Sequence, residues 1–276
     1  MKLQEALKQG EIKLEENNIA DARLDAWYLM SFVTGLSRGR YILESINEMD
    51  ENDYQVYMEL IAKRAQRIPL QHITGQQDFM GLSFKVNESV LIPRQDTELL
   101  VEEALKLTKA KDKVLDLCTG SGCVIISILA LGEELSGVGV DISPEALKVA
   151  EYNNENLISG RAKLLQGDLY EGIEETFDII VSNPPYIRLE VIETLEPEVK
   201  DHEPMLALDG HADGLHFYRR ICQDAKKHLK EGGWLLTEIG YDQGAQVQSL
   251  FKAAGFMDVE IVKDLAKNDR LVKGHY

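Results

Sequence analysis

Asn183, Pro184, Pro185 and Tyr186 end an apolar run, Phe177-Asp178-Ile179-Ile180-Val181. Each proline fixes its own φ and pushes the residue before it to extended geometry. Asn183 and Pro184 are therefore both held extended and stiff. This leaves two acceptors, the Asn183 side-chain oxygen and the Pro184 main-chain oxygen, for the two hydrogens of one planar –NH₂ group. Tyr186 can lie against the face of that group. Such a platform suits an amine conjugated to an sp² carbon: the exocyclic amine of adenine or cytosine, or the side-chain amide of glutamine or asparagine. The lone pair of such a nitrogen is delocalised, so it is a poor nucleophile. Orienting it can be worth several powers of ten in rate. The acceptors also stabilise positive charge as it develops on nitrogen. No His or Glu general base is expected, because the nitrogen becomes acidic only after it has reacted. The structural alternative is a stiff loop after a strand.

Three more strand ends carry chemistry. "DLCTGSG", Asp116 to Gly122, places Gly120 and Gly122 between a short strand and a helix. Glycines let the backbone bend and approach a ligand, and the helix start offers free amides. Taken alone, this is weak evidence, and a tight strand-to-helix turn is the plainer reading. A third glycine near residue 125, as a dinucleotide fingerprint requires, is absent. Asp141, in "GVDIS", is placed to accept from both hydroxyls of a ribose, although Asp141 or Ser143 could instead cap the following helix. Asp168, in "QGDLY", could accept from an adenine amine with Leu169 against the ring, or be a turn aspartate. Together they describe a pocket for an adenosine-containing ligand without a phosphate cradle, since no GxxxxGKS loop is present. S-adenosylmethionine fits better than NAD or ATP. At this point the chain resembles the seven-stranded, Rossmann-like methyltransferases.

The positioning elements follow from hydrophobic periodicity. Residues 1 to about 75 read as a small helical bundle, with Leu24, Trp27, Tyr28 and Leu29, then Val56, Tyr57, Leu60 and Ile61, at helical spacing. Leu82, Phe84 and Val86 alternate with polar residues, and an Asn87-Glu88-Ser89 turn leads to Val90-Leu91-Ile92, a hairpin pattern. Asp96 or Thr97 can cap the next helix. Strands and helices then alternate, through Val114–Leu117, Val138–Val140, Leu164-Leu165, Phe177–Val181 and Trp234–Ile239, to two final strands. Repeated βα units predict a mainly parallel sheet with helices on both faces. Ligands bind beyond the carboxyl ends of its strands. The expected division is a bundle over 1–72, a hairpin linker over 73–93 and a catalytic domain over 94–276.

Composition narrows the classes. A 276-residue chain with net charge −17 argues against a broad phosphate-binding surface. Three cysteines without a CxxC pair suggest a reducing, cytoplasmic compartment. No HExxH or HxxxH pair is present, so no metal is expected. The charged N-terminus does not read as a signal peptide, and no apolar stretch reaches membrane-spanning length.

Beyond NPPY, "QHITGQQDFMGLSFKVNESVLIPRQDTELLVEEAL", "LDLCTGSG", "HEPMLALDGHADGL", "EIGYDQG" and the final "DLAKNDRLVKG" resemble the HemK/PrmC family. Departures are Cys118, where glycine is common, and Gln95, where proline is familiar. The resemblance implies an α/β fold, a class I methyltransferase sheet with a small helical N-terminal domain. It implies methyl transfer from S-adenosylmethionine to the glutamine amide in the Gly-Gly-Gln loop of peptide chain release factors, with S-adenosylhomocysteine as product. Cys118, Thr119, Gly120, Ser121 and Gly122 would wrap the methionine part, Asp141 the ribose, and Asp168 and Leu169 the adenine. Asn183 would touch cofactor and substrate. Asn183, Pro184, Pro185 and Tyr186 would grip the amide, with Phe79 in the pocket wall. The bundle would dock the release factor, and a monomer is expected. The rivals are an adenine methyltransferase of DNA or RNA, which needs a basic face, a non-enzymatic cofactor-binding module, and an NAD oxidoreductase.

Overall fold

Apolar residues at helical spacing form five helices in the computed structural model, which describes residues 1–276: α1 (Leu3–Glu16), α2 (Ala22–Thr34), α3 (Arg38–Glu44), α4 (Glu51–Ala65) and α5 (Leu70–Thr74). Asp50 starts α4 by accepting from the amides of Asn52 and Asp53. Gly35 ends α2 in the left-handed region, as a helix C-terminus favours. Leu14, Leu29, Met30, Tyr57 and Ile61 form a fully buried core. Residues 1–75 make one compact unit, and a distant stretch, 196–202, belongs to it. Arg64 joins the two stretches, with Nε 2.7 Å from Asp25 and Nη1 2.9 Å from Glu198. Arg67 Nη2 lies 2.6 Å from the other Glu198 oxygen. No pattern in the sequence pointed to this insertion.

The second unit opens with a hairpin, one strand earlier than expected. It pairs β1 (Gln76–Phe79) with β2 (Leu82–Lys85). Met80 and Gly81 both have positive φ, and a two-residue turn of that kind matches the twist of paired strands. Val90–Ile92 forms no strand. Phe79 is not part of the pocket wall: it is 1% exposed and packs edge-on to Phe84 in the core. Thr97 precedes α6 (Glu98–Leu107) but makes no side-chain cap.

The remaining elements are β3 (Lys113–Leu117), α7 (Cys123–Leu131), β4 (Ser136–Asp141), α8 (Pro144–Ile158), β5 (Ala162–Gln166) and β6 (Phe177–Ser182). Three one-turn helices follow: α9 (Leu189–Ile192), α10 (Pro197–Lys200) and α11 (Met205–Leu208). The chain ends with α12 (His216–His228), β7 (Leu229–Glu238), α13 (Gly244–Ala253), β8 (Met257–Lys263) and β9 (Asp269–His275). The seven strands order as β5-β4-β3-β6-β7-β9-β8. Only β9 runs antiparallel to its neighbours. Residues of α12 and α13, such as Tyr218 and Phe251, bury one face of the sheet. Residues of α6 and α7, such as Leu100 and Ile128, bury the other. The chain moves outward from β3 to β4 and β5, then returns to β6 on the other side of β3. The carboxyl ends of β3 and β6 are therefore the switch point where such sheets bind ligands.

Candidate active site

The turn after β3 is built on positive φ values: +61° at Cys118, +55° at Gly120 and +80° at Gly122. Gly122 is also confined, since a Cβ there would stand 2.8 Å from Ile126 Cδ1. Cys118 accepts the strain that glycine would avoid. Burial, then the nearby Asp141 and Asp116, push its thiol pKa up, so it is a packed side chain and not a nucleophile.

The carboxyls are set by this turn. The Thr119 hydroxyl donates to Asp116 Oδ2 at 2.6 Å. Asp116 is 1% exposed, and burial pushes its pKa up to about 7. Asp141 Oδ2 accepts from the Gly120 amide at 2.8 Å, and Oδ1 from the Ser143 amide at 2.9 Å. Ser143, not Asp141, caps α8. A carboxylate has about four acceptor sites, so Asp141 retains capacity for two ligand hydroxyls. Asp168 Oδ2 accepts from Arg220 at 2.8 Å, a partner on α12 that no local pattern revealed. Leu169 beside it is buried.

After β6, Asn183 Nδ2 donates to Thr97 Oγ1 at 3.2 Å. The donor half of the amide is thereby engaged, and Oδ1 remains as an acceptor. The following backbone is held on both sides. Gln243 Nε2 donates to Tyr186 O, Ile187 N donates to Leu208 O, and Gly210 N donates to Ile187 O. A Cβ on Gly210 would lie 2.7 Å from the Tyr186 backbone. The Tyr186 hydroxyl donates to Glu238 Oε1 at 3.3 Å. Glu238 is 3% exposed, and burial pushes its pKa up to about 7.

Residues 118–121, Asp141, Asp168, Leu169, Asn183 and Pro185 line one cavity of about 300 Å³. Gly122, Pro184 and Tyr186 are not among its lining residues. Asp116 and the segment from Val90 to Thr97 also contribute to the wall, although sequence reasoning did not assign them to the site. Arg94, in that segment, is clamped by both oxygens of the buried Glu203. His211 and His216 line the wall too. Burial, then His211, lower the His216 pKa, which keeps that imidazole neutral near pH 7. Nothing lies within 4 Å of where a Gly120 side chain would start, so the turn backbone is bare there. Three carboxyls around a bare turn suit a cationic ligand rich in hydroxyl and amino donors, and disfavour one that brings a pyrophosphate.

Comparison with known proteins agrees. The PrmC N-terminal domain family matches residues 5–75, and the methyltransferase small domain family matches residues 94–195. A release factor glutamine methyltransferase of Clostridium acetobutylicum is 42% identical, over 99% of this chain and 98% of the relative. That of Caulobacter vibrioides is 41% identical, over 95% and 92%. A methyltransferase structure from Pyrococcus furiosus is similar in fold, with a TM-score of 0.54 at 17% identity, over 71% of this chain and 89% of that one. With both domains matched and relatives this similar along nearly the whole length, the chain belongs to the HemK/PrmC family of release factor glutamine methyltransferases.

Proposed function

We propose that the cavity holds S-adenosylmethionine and that Asn183, Pro184, Pro185 and Tyr186 grip the side-chain amide of the Gly-Gly-Gln glutamine of a release factor. The protein is a protein-glutamine N5-methyltransferase acting on release factors. The observation that carries the site assignment is the Asn183–Thr97 hydrogen bond. With Nδ2 engaged there, Asn183 has Oδ1 to offer as an acceptor, beside the Asp141 and Asp168 carboxylates in one cavity.

The cavity fits this cofactor. The Asp141 carboxylate, braced by two backbone amides, takes the ribose hydroxyls. Asp168 and Leu169 border the adenine, and the bare turn at residues 118–121 accommodates the methionine portion, with Gly122 supplying the bend. Asp116 offers a carboxyl to a cationic group. When bound, S-adenosylmethionine supplies an electrophilic methyl on a sulfonium.

The chain's own residues do the rest. Asn183 Oδ1 and Pro184 O accept the two amide hydrogens and orient the nitrogen. They gain strength as that nitrogen becomes positive, so they stabilise the transition state more than the ground state. Tyr186 backs the planar amide. The methylated nitrogen is acidic enough to lose its proton to water. With water taking that proton, Glu238 is not needed as a base. The bundle of residues 1–75 docks the release factor. The strongly acidic chain does not favour a nucleic acid substrate.

The deciding experiment offers labelled cofactor to intact release factor and, in parallel, to DNA. One methyl on the peptide containing the Gly-Gly-Gln glutamine is the expected product. Label on DNA, or on another residue of the release factor, would overturn the reading.

A further inference from the structure

Ser182 of β6 pairs with Thr237 of β7, so Asn183 and Glu238 leave adjacent strands at the same level. Glu238 is an unusual residue to find there. It is 3% exposed and has no ion pair of its own. The cation that acts on it, Arg270, is engaged by Asp264 and Asp96, each at 3.1 Å. Buried carboxyls are rarely tolerated without partners, and this one has a single side-chain hydrogen bond, from a hydroxyl. Tyr186 Oη donates to Oε1. Oε2 is buried with no hydrogen-bond partner, and the Thr97 hydroxyl faces the carboxyl and lowers its pKa as a donor does.

Those two hydroxyls belong to the platform. Thr97 Oγ1 accepts from Asn183 Nδ2, so its single hydrogen is free for Glu238. Tyr186 is the last residue of the platform. We propose that Glu238 is its positioning residue, orienting Asn183 through the Thr97 hydroxyl and Tyr186 through its own. The inference rests on the reading of Asn183–Tyr186 as the amide grip.

The physical reason is polarity. An ionised carboxylate can only accept, so both hydroxyls must donate to it. Thr97 then presents a lone pair to Asn183 Nδ2, and Asn183 Oδ1 is left for the substrate amide. A neutral Glu238 carries a hydrogen of its own and can reverse either hydroxyl. Asn183 would lose its orienting acceptor, and a flipped side chain would set one –NH₂ against another.

The ionisation of Glu238 is balanced near neutrality. Burial raises its pKa most, and Asp96 adds to the rise, while Thr97, Arg270 and Tyr186 oppose it, leaving it at about 7. Tyr218, which donates to the Glu238 main-chain oxygen, and Cys123 also face it, and burial keeps both neutral. Methyl transfer should therefore rise with pH through this range.

The test is single-turnover transfer to release factor at saturating cofactor, from about pH 6 to about pH 8 around the pKa. Glu238→Gln keeps the volume but adds a donor. It should slow transfer at the upper pH by roughly ten- to a hundredfold, flatten the rise with pH, and leave cofactor affinity unchanged. Thr97→Val should also slow transfer, and Thr97→Ser should restore it. That pair decides the matter if Glu238→Gln folds poorly. Asn183→Ala runs beside them. Slow transfer by Asn183→Ala, with Glu238→Gln and Thr97→Val keeping the wild-type rate and pH profile, would overturn the role of Glu238 and spare the platform. Wild-type transfer by Asn183→Ala as well would remove the platform and Glu238's role with it.

Discussion

In the proposed reading, Asn183 divides its amide between two tasks, a donor half tied to Thr97 and an acceptor half offered to the substrate. Asn183→Ala should lower methyl transfer by roughly two to three powers of ten, as loss of one preorganised transition-state hydrogen bond does. Cofactor affinity, measured by calorimetry, should fall far less than the rate, because Asp116, Asp141 and Asp168 are untouched. A near-normal rate would reduce the double proline to a stiff loop. Asp116 makes a second prediction. Burial raises its pKa to about 7, so it is largely neutral below that pH and charged above it. A cationic ligand favours the charged form. Cofactor affinity should therefore rise with pH through about 7, and Asp116→Asn should weaken binding and flatten that dependence. An unchanged slope in the variant would place the cation elsewhere. The loop after β6 that carries Asn183 could be read from the sequence because proline acts on its immediate neighbours. The raised carboxyls of Asp116 and Glu238 could not, because burial is a property of the packed sheet.

At the scale of elements, the strand ends and the order of βα units were legible, since short apolar runs and their turn residues are local signals. Two features were not. The hairpin closes at Met80-Gly81 rather than at 87–89. The Asn87-Glu88-Ser89 stretch has turn composition, but Val90 and Leu91 are used as cavity wall and Val90–Ile92 forms no strand. The one-turn helices between 189 and 208 are too short to show periodicity. They matter because the chain that follows them clamps the platform. Gly210 and Gly214 both lie against the Tyr186 backbone, where a Cβ would come within 2.7 Å or less. Gly210→Ala should cost about 1–3 kcal/mol of stability, the usual penalty for overpacking, and should slow transfer more than it weakens cofactor binding. Denaturant melts and single-turnover rates would check both. A variant with wild-type melting and rate would show that this loop does not brace the platform.

At the scale of the molecule, the bundle is more than a cap if it docks the release factor. Leu24, Tyr28 and Phe32 form an exposed stripe on α2, each about half accessible. Tyr28→Ala combined with Phe32→Ala should reduce kcat/KM for intact release factor while leaving turnover of a short Gly-Gly-Gln peptide unchanged. Equal loss on both substrates would argue against docking there. The bundle's integrity depends on Arg64, which is buried between Asp25 and Glu198. Arg64→Ala leaves the buried Asp25 carboxylate without its cation, while Glu198 keeps Arg67, and should destabilise the bundle by about 3–5 kcal/mol, read as an early transition in thermal melts. A single unshifted transition would count against that.

The stretch 196–202 has a consequence for inheritance. It belongs to the bundle by its contacts, yet it is encoded between the acceptor platform and the Glu203 that clamps Arg94. Neither unit is a contiguous cassette. A recombination event that exchanged residues 1–75 for a foreign docking module would leave Glu196 and Glu198 facing residues chosen for something else. Lineages that re-target such an enzyme should therefore do so by point substitution on the bundle surface, and chimaeras joined near Gly75 should recover activity only when 196–202 travels with the bundle.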